Sequence, residues 1–258
     1  MRVFAISDLH LDYDDNKHWL EQLSNTDYQS DMLILAGDIS DNITLLGWCF
    51  STLQNKFKRV FFVPGNHDLW VRGNSGITSI DKFEMVCRLA KEHNICMNSH
   101  QYGSLSIVPL LSWYDYSFGL PCEKLLKAWM DFHVCDWPDD MQAADISHYF
   151  LSRNEPVLSA HNDVVISFSH FMPRIDLMPS SMPQRFKYLY PIMGSAALDK
   201  QVRTIQTTKH LHVYGHSHLN RHMVLENIEY INNAFGYPSE SHIAQKKLKQ
   251  IYETDDNE

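Results

Sequence analysis

The 258-residue chain carries a formal net charge of −9, with 44% hydrophobic and 21% charged residues, the balance of a globular protein. That charge argues against extended binding to nucleic acid or to an anionic membrane surface, and no apolar stretch approaches the roughly 18 residues needed to span a bilayer. Five cysteines without a CxxC pair argue against a disulfide framework or a thiolate zinc site, and Asp8 and His10 come too early for a signal peptide, so a cytoplasmic protein is expected.

The expected elements alternate along the first half. "RVFAIS" (2–7), "DMLILAG" (31–37) and "RVFFVPG" (59–65) are short apolar runs of the kind that form buried strands. Between and after them, 16–25, 42–56 and 79–93 repeat apolar residues every three or four positions, as helices do. This βαβαβ order predicts an α/β protein with a largely parallel sheet. From 113 to about 160 the pattern changes: "SWYDYSFGLP" is aromatic and turn-rich, and "CEKLLKAWMDF" and "MQAADISHYFLSRN" read as helices flanking "HVCDWPDD". We read this as a helical insertion within one domain spanning 1–258.

"DVVISFSH" (163–170) is the next strand. Residues 171–197 hold four prolines and little periodicity, which predicts a long irregular loop, and loops of that length are usually functional. "HLHVYGH", "RHMVLE" and "IEYINN" are strands with short links, pointing to antiparallel pairing, with "LENIE" as a turn. "KKLK" at 246–249 reads as a solvated helix face and "ETDDNE" as a frayed tail.

Five of these strands end in polar residues: Asp8 and His10 in "SDLH", Asp38 and Asp41 in "AGDISD", Asn66, His67 and Asp68 in "PGNHD", His170 in "SH", and His216 and His218 in "YGHSH". One Asp after a strand usually forms a turn or caps a helix. Ligands of open α/β sheets, however, bind beyond the carboxyl ends of the strands, so all five groups face one crevice. Carboxylates and neutral imidazoles gain little by converging there unless a cation holds them.

In that order, D-x-H, GDxxD, GNHD, a strand-terminal His and GHxH resemble the calcineurin-like metallophosphoesterases, and "SHFMPRIDLMP" and "GYPSE" resemble a less-studied branch of them. The resemblance implies a four-layer α/β/β/α sandwich of two mixed sheets flanked by helices, with a two-metal hydrolytic centre. It assigns one metal to Asp8, His10 and His218, the other to Asn66, His170 and His216, and makes Asp38 the bridge. Carboxylate, imidazole and amide ligands suit manganese first, with iron, zinc or nickel as alternatives. Two such cations clamp phosphate oxygens and acidify a water whose hydroxide attacks phosphorus.

By the same resemblance His67 is the general acid beside the leaving group, oriented by Asp41 or, by adjacency, by Asp68. Asn66 also meets the substrate. The Arg that follows GDxxD in related protein phosphatases is replaced by Asn42, which leaves Arg174 as a candidate phosphate contact; Trp113, Tyr114 and Arg174 are expected to wall the cleft. His100, His133, His148 and His161 fall outside the signature and are expected to be structural or surface residues. The reading is a metal-dependent phosphoesterase acting on a small phosphoester, with a phosphodiester favoured. A phosphomonoesterase or protein phosphatase and a non-catalytic metal-binding scaffold are the alternatives. No pattern specifies an oligomeric state.

Overall fold

The computed structural model describes residues 1–72, 76–159 and 162–254; His161 and the end of the acidic tail lie outside them. The first half runs β1 (Arg2–Ile6), α1 (Asp14–Gln22), β2 (Met32–Leu35), α2 (Ile43–Gln54), β3 (Arg59–Phe62) and α3 (Ser79–Glu92). It continues through β4 (His100–Tyr102), β5 (Leu105–Pro109), α4 (Glu123–Ala128), α5 (Asp131–Val134), α6 (Ala143–Ser152) and β6 (Val164–Phe168). The last elements are α7 (Ala196–Thr204), β7 (Lys209–Tyr214), β8 (Arg221–Leu225), β9 (Ile228–Asn232) and β10 (Lys249–Glu253).

These strands form two mixed sheets, one ordered β10-β1-β2-β3 and the other β4-β5-β6-β7-β9-β8. β1, β2 and β3 are parallel, as are β5, β6, β7 and β9; β10, β4 and β8 run antiparallel to their neighbours. Three apolar layers explain the stacking. Val3, Ala5, Ile34 and Phe61 of one sheet face Ile107, Ile166, Leu211 and Val213 of the other. The outer face of the first sheet buries Phe4, Leu33 and Phe62 under Leu20, Leu46, Phe50 and Val86 of helices α1 to α3. The second sheet does the same with Val108, Val165 and Tyr230 under Ile146, Phe150 and Leu198. The result is the four-layer α/β/β/α sandwich.

Several local expectations change. β8 and β9 form the expected hairpin about Glu226 and Asn227, both at positive φ, but β7 joins β9 in parallel and skips β8. The apolar-run reading omits β5, a fully buried strand that Pro109 closes, and the three-residue edge strand β4. "KKLK" is not a helix face: Lys246 donates to the carbonyls of Phe235, Gly236 and Tyr237, and Lys249 opens β10 on the edge of β1. The helix expected over "CEKLLKAWMDF" breaks at Trp129, where the backbone turns extended. Residues 171–197 are built from 3-10 turns at Ile175–Leu177 and Gln184–Ile192 before α7 begins. No helix among the described residues is long and apolar enough to cross a membrane.

Asp68 sets the spacing of two strand ends. Its buried carboxylate accepts from the backbone N–H groups of Asp38, Ile39, Ser40 and Gly65 at 2.8–3.1 Å. Burial pushes its carboxyl up to about 6 even though all four donors pull it down. Neither an N-cap nor a contact to His67, it fastens the loop after β2 to the loop after β3. Asp68→Ala should leave those four N–H groups without an acceptor and cost on the order of 3–5 kcal/mol, read as a fall in the unfolding midpoint. A loss below about 1 kcal/mol would show that water replaces the carboxylate there.

Candidate metal centre

The parallel strands of each sheet end at one edge of the sandwich, and backbone hydrogen bonds lash those ends together. Asp8 N–H donates to the Gly37 carbonyl, His10 N–H to Asp38, Gly215 N–H to His170, and Ser7 and Phe235 exchange with each other's neighbourhood across the sheets. Gly37 and Gly65 permit this approach: a Cβ on Gly37 would stand 2.6 Å from Gly65 N and His170 Nδ1, and one on Gly65 would stand 2.2 Å from Asp38 Oδ1. Asp8, His10, Asp38, His216 and His218 all have φ between 43° and 66°. Non-glycine residues pay conformational energy there, and Asp and His tolerate it better than bulkier types. Such strain clustered on five side chains is a property of a site.

Asp8, His10, Asp38 and His218 bring ligand atoms within 4.8 Å of one another, and Asp38, His170 and His216 do the same. Asn66 joins the second group, its Oδ1 lying 3.2 Å from His170 Nε2 and 3.0 Å from His216 Nδ1. The two groups share Asp38. All seven side chains are buried.

The far ring nitrogens explain why these groups suit cations. His170 Nδ1 donates to the Ala36 carbonyl at 2.9 Å and His216 Nε2 to the Ile192 carbonyl at 3.0 Å. Burial holds both rings below the ordinary imidazole range, so they are neutral. Their other nitrogens therefore carry lone pairs that face each other at 3.1 Å beside the Asn66 oxygen. Three acceptors without a donor between them repel, and a cation turns that repulsion into coordination. In the other group, burial opposes charging His218, but Asp8 and Glu240 outweigh it and raise its pKa to about 10. Glu240 accepts from His218 Nδ1 at 2.6 Å and leaves Nε2 directed at Asp8 and His10. Asp38 is pushed well above the carboxylate range, first by burial and then by Asp8 and Asp68. Divalent cations would relieve the repulsion in the second group and the burial of Asp38, and at His218 would take the place of the Nε2 proton.

His67 stands at the edge of this array. Its ring stacks on Trp70 at 3.6 Å between centroids, and Nε2 lies 3.8 Å from Asp38 Oδ2 and 3.5 Å from the Tyr237 hydroxyl. Burial, then His170 and its neighbours, hold its pKa well below the ordinary value. Asp41 does not orient it: the Asp41 carboxylate is taken by Arg72 and its carbonyl by Lys82 Nζ, and among the described residues no hydrogen bond or ion pair joins Asp41 to His67. Asn42 caps α2, accepting from Thr44 and Leu45 N–H.

A cavity of about 190 Å³ opens on the two groups, walled by Trp129, Leu189, Met193 and Tyr237. Arg174 is not among its lining residues, because Asp176 and Glu226 occupy its guanidinium. Trp113 and Tyr114 do not wall it either; both are buried in the core, Trp113 against Trp137, Phe150 and Phe171. Large aromatics gain more by burial than a cleft wall offers. A larger hollow of about 840 Å³, lined by Lys58, Arg59 and Met97, contains none of the ligands.

The sequence reading gives no role to three residues that shape the site. Tyr237 and Glu240 belong to "GYPSE": Tyr237 stacks on His10 at 4.4 Å and its N–H donates to Glu240. Asp131, in the insertion, accepts from Asn66 Nδ2 at 2.8 Å, from the indoles of Trp70 and Trp129 at 2.7 Å, and from Tyr114. That carboxylate fixes the Asn66 amide with its oxygen toward His170 and His216. It also anchors the ring on which His67 stacks.

A sequence model of the calcineurin-like phosphoesterase family matches residues 1–220. The [acyl-carrier-protein] phosphodiesterase PptH of Mycobacterium tuberculosis (strain ATCC 25618 / H37Rv) is 32% identical over 125 residues, 45% of this chain and 38% of that protein, so the match spans less than half of the relative's length. The crystal structure of phosphopantetheinyl hydrolase (PptH) from Mycobacterium tuberculosis superposes with a TM-score of 0.79 at 22% identity, covering 98% of this chain and 96% of that one. A putative 5'-nucleotidase from Staphylococcus aureus overlaps more loosely, with a TM-score of 0.44 at 13% identity over 90% of this chain and 48% of that one. The chain belongs to the calcineurin-like phosphoesterase family, hydrolases of phosphoric esters that depend on a binuclear metal centre.

If Asp131 holds Asn66, its loss should loosen the metal held by the His170 and His216 group. Asp131→Ala should bind that ion about 10–100-fold more weakly, while Asp131→Asn, which keeps an acceptor for the Asn66 amide, recovers part of the affinity. Metal titration of both variants reads this directly. Two ions bound with native affinity in Asp131→Ala would show that Asn66 needs no such support.

Proposed function

We propose that the chain is a metal-dependent phosphodiesterase, and that its substrate is the phosphopantetheinyl diester of an acyl carrier protein. The observation that carries the catalytic part is Asp38 shared by two buried ligand groups, with His67 beside them and outside both. The substrate part is supported by the names of the relatives, and the small cavity is of a size for the phosphoryl group of such a diester.

Asp8, His10 and His218 would hold one metal and Asn66, His170 and His216 the other, with Asp38 between; manganese is the ion we assign first to this all-nitrogen and oxygen set. When bound, the pair supplies Lewis acidity to a phosphoryl oxygen and to a nucleophilic water. Asn66 presents a neutral oxygen, so the set gains a ligand without another negative charge. Trp129, Leu189 and Met193 exclude bulk water from one side of the cavity. Trp70 holds the His67 ring by stacking, Nε2 toward the cavity, where it can pass a proton to the departing oxygen. The departing oxygen of an alkyl phosphodiester is an alkoxide, which needs that proton. A cytoplasmic location belongs to the same reading and is supported by five unpaired cysteines.

Asp38→Asn should lower metal content and abolish hydrolysis of every phosphoester, while the sheet around it stays folded; full activity in that variant or in chelated enzyme would sink the two-metal reading. His67→Asn should keep both metals and cleave a nitrophenyl diester at a useful rate, since nitrophenolate leaves unaided. On an alkyl diester the same variant should lose about 10²–10⁴-fold. An equal loss on both esters would remove the general-acid role.

A further inference from the structure

The cavity of about 190 Å³ is smaller than the roughly 300–1,000 Å³ of ordinary ligand sites, so most of a larger substrate must lie across its rim. Two segments form that rim on one side. Residues 116–130 contribute Trp129 to the cavity and residues 180–193 contribute Leu189 and Met193. They touch each other where Lys124 Nζ sits 4.0 Å over the Tyr188 ring.

Their composition is unlike that of the chain as a whole. In a protein of net charge −9, these segments hold one acidic side chain, Glu123, against four basic ones, Lys124, Lys127, Arg185 and Lys187, all exposed. Glu123 pairs with Lys127 at 2.5 Å, while Lys124 and Arg185 lie over aromatic rings, and among the described residues no carboxylate forms an ion pair with Lys124, Arg185 or Lys187. The same segments expose Leu120 at 86%, Leu126 at 44%, Met130 at 42% and Phe186 at 40%. One exposed leucine is ordinary, but four exposed apolar side chains on two touching segments, with three cations that have no carboxylate partner among the described residues, mark a contact surface beside the cavity.

We propose that α4 and the 184–192 turn are the docking surface for an acidic protein that carries the phosphodiester, a step that rests on the carrier-borne substrate read above. The lysines and arginine meet its carboxylates, the apolar side chains cover one of its faces, and the diester reaches the metals past Trp129 and Leu189. A nucleic acid would satisfy the cations and leave the Leu, Met and Phe side chains without a partner. Charge pairs of this exposed kind act mainly on encounter rate and salt dependence.

The test compares two substrates on the metal-loaded enzyme: a holo acyl carrier protein and bis(p-nitrophenyl) phosphate. Reversing the four cations (Lys124→Glu, Lys127→Glu, Arg185→Glu, Lys187→Glu) should lower kcat/KM on the carrier about tenfold or more at low salt, mainly through KM, and leave the small diester unchanged. The wild-type rate on the carrier should fall with added salt, and Leu120→Ser with Phe186→Ser should weaken it further at any salt. Equal cleavage of the carrier by wild type and charge-reversed variant overturns the docking surface while leaving the substrate reading intact. A parallel loss on both substrates overturns it too, by showing that the segments shape the cavity instead. If the wild type cleaves the small diester and no carrier at any salt, the substrate reading fails and the docking surface with it. Binding to anionic vesicles that the reversal abolishes, with carrier cleavage untouched, would reassign the surface to a membrane.

Discussion

Asp38 is a buried carboxylate at the meeting point of two sheets, within reach of Asp8 and backed by Asp68. Three acids in so little water cannot all stay ionised without positive charge nearby; His218 offsets Asp8, but among the described residues no lysine or arginine lines the cavity beside Asp38. The arrangement makes sense as a receptacle for cations. One sheet brings Asp8, His10, Asp38 and Asn66 to it, the other His170, His216 and His218. Metal binding would therefore also tie the two halves of the sandwich at the edge where loops, and not strands, hold them together.

Holding the ligands in place is the task of elements outside the two sheets' strands. Each neutral imidazole of the second group has its far nitrogen fixed by a main-chain carbonyl, from Ala36 in one case and Ile192 in the other. His218 is fixed by Glu240 from the segment after β9, and Asn66 by Asp131 from the insertion. Because Asp131 also binds the indoles of Trp70 and Trp129, the same carboxylate governs a ligand, the platform under His67 and a wall of the cavity. The segment that carries Asp131 thus supports the candidate site by its hydrogen bonds and is not merely a neighbour of it.

This division decides what could be read from the chain. The seven positions that converge around Asp38 are legible because each follows an apolar run and because a strand end fixes where the next residues point; the same logic yields β1, β2, β3, β6 and β7. Asp131 has no such marker. It lies in a broken helical stretch, and its meaning comes from Trp70 and Asn66, more than 60 positions earlier. Glu240 and Tyr237 stand in "GYPSE", whose chemistry appears only when the segment after β9 bonds to Ser7 beyond the end of β1. Asp41 misleads for the opposite reason: its spacing from Asp38 suits a partner for His67, but Arg72 and Lys82 reach it first. Arg174 likewise finds Asp176 and Glu226 closer than any phosphate. β10 is hidden because lysines serve an edge strand as readily as a helix face.

If His67 is the general acid proposed here, it is oriented by stacking, which differs from orientation by a carboxylate. An Asp beside His67 would hold its proton more tightly and compete with the leaving oxygen for it. The Trp70 face fixes the ring plane without adding charge, and Asp38, at 3.8 Å from Nε2, is committed to the metal side. Burial disfavours the charged ring, so in the proposed role His67 would take up a proton only with an anionic phosphoester beside it and pass it into the cavity that Tyr237 and Trp129 also line. A leaving group protonated by His67 would then lie toward the basic and apolar rim. For the carrier-borne diester proposed above, the phosphoryl group would sit inside the cavity and the protein half would lie over that rim.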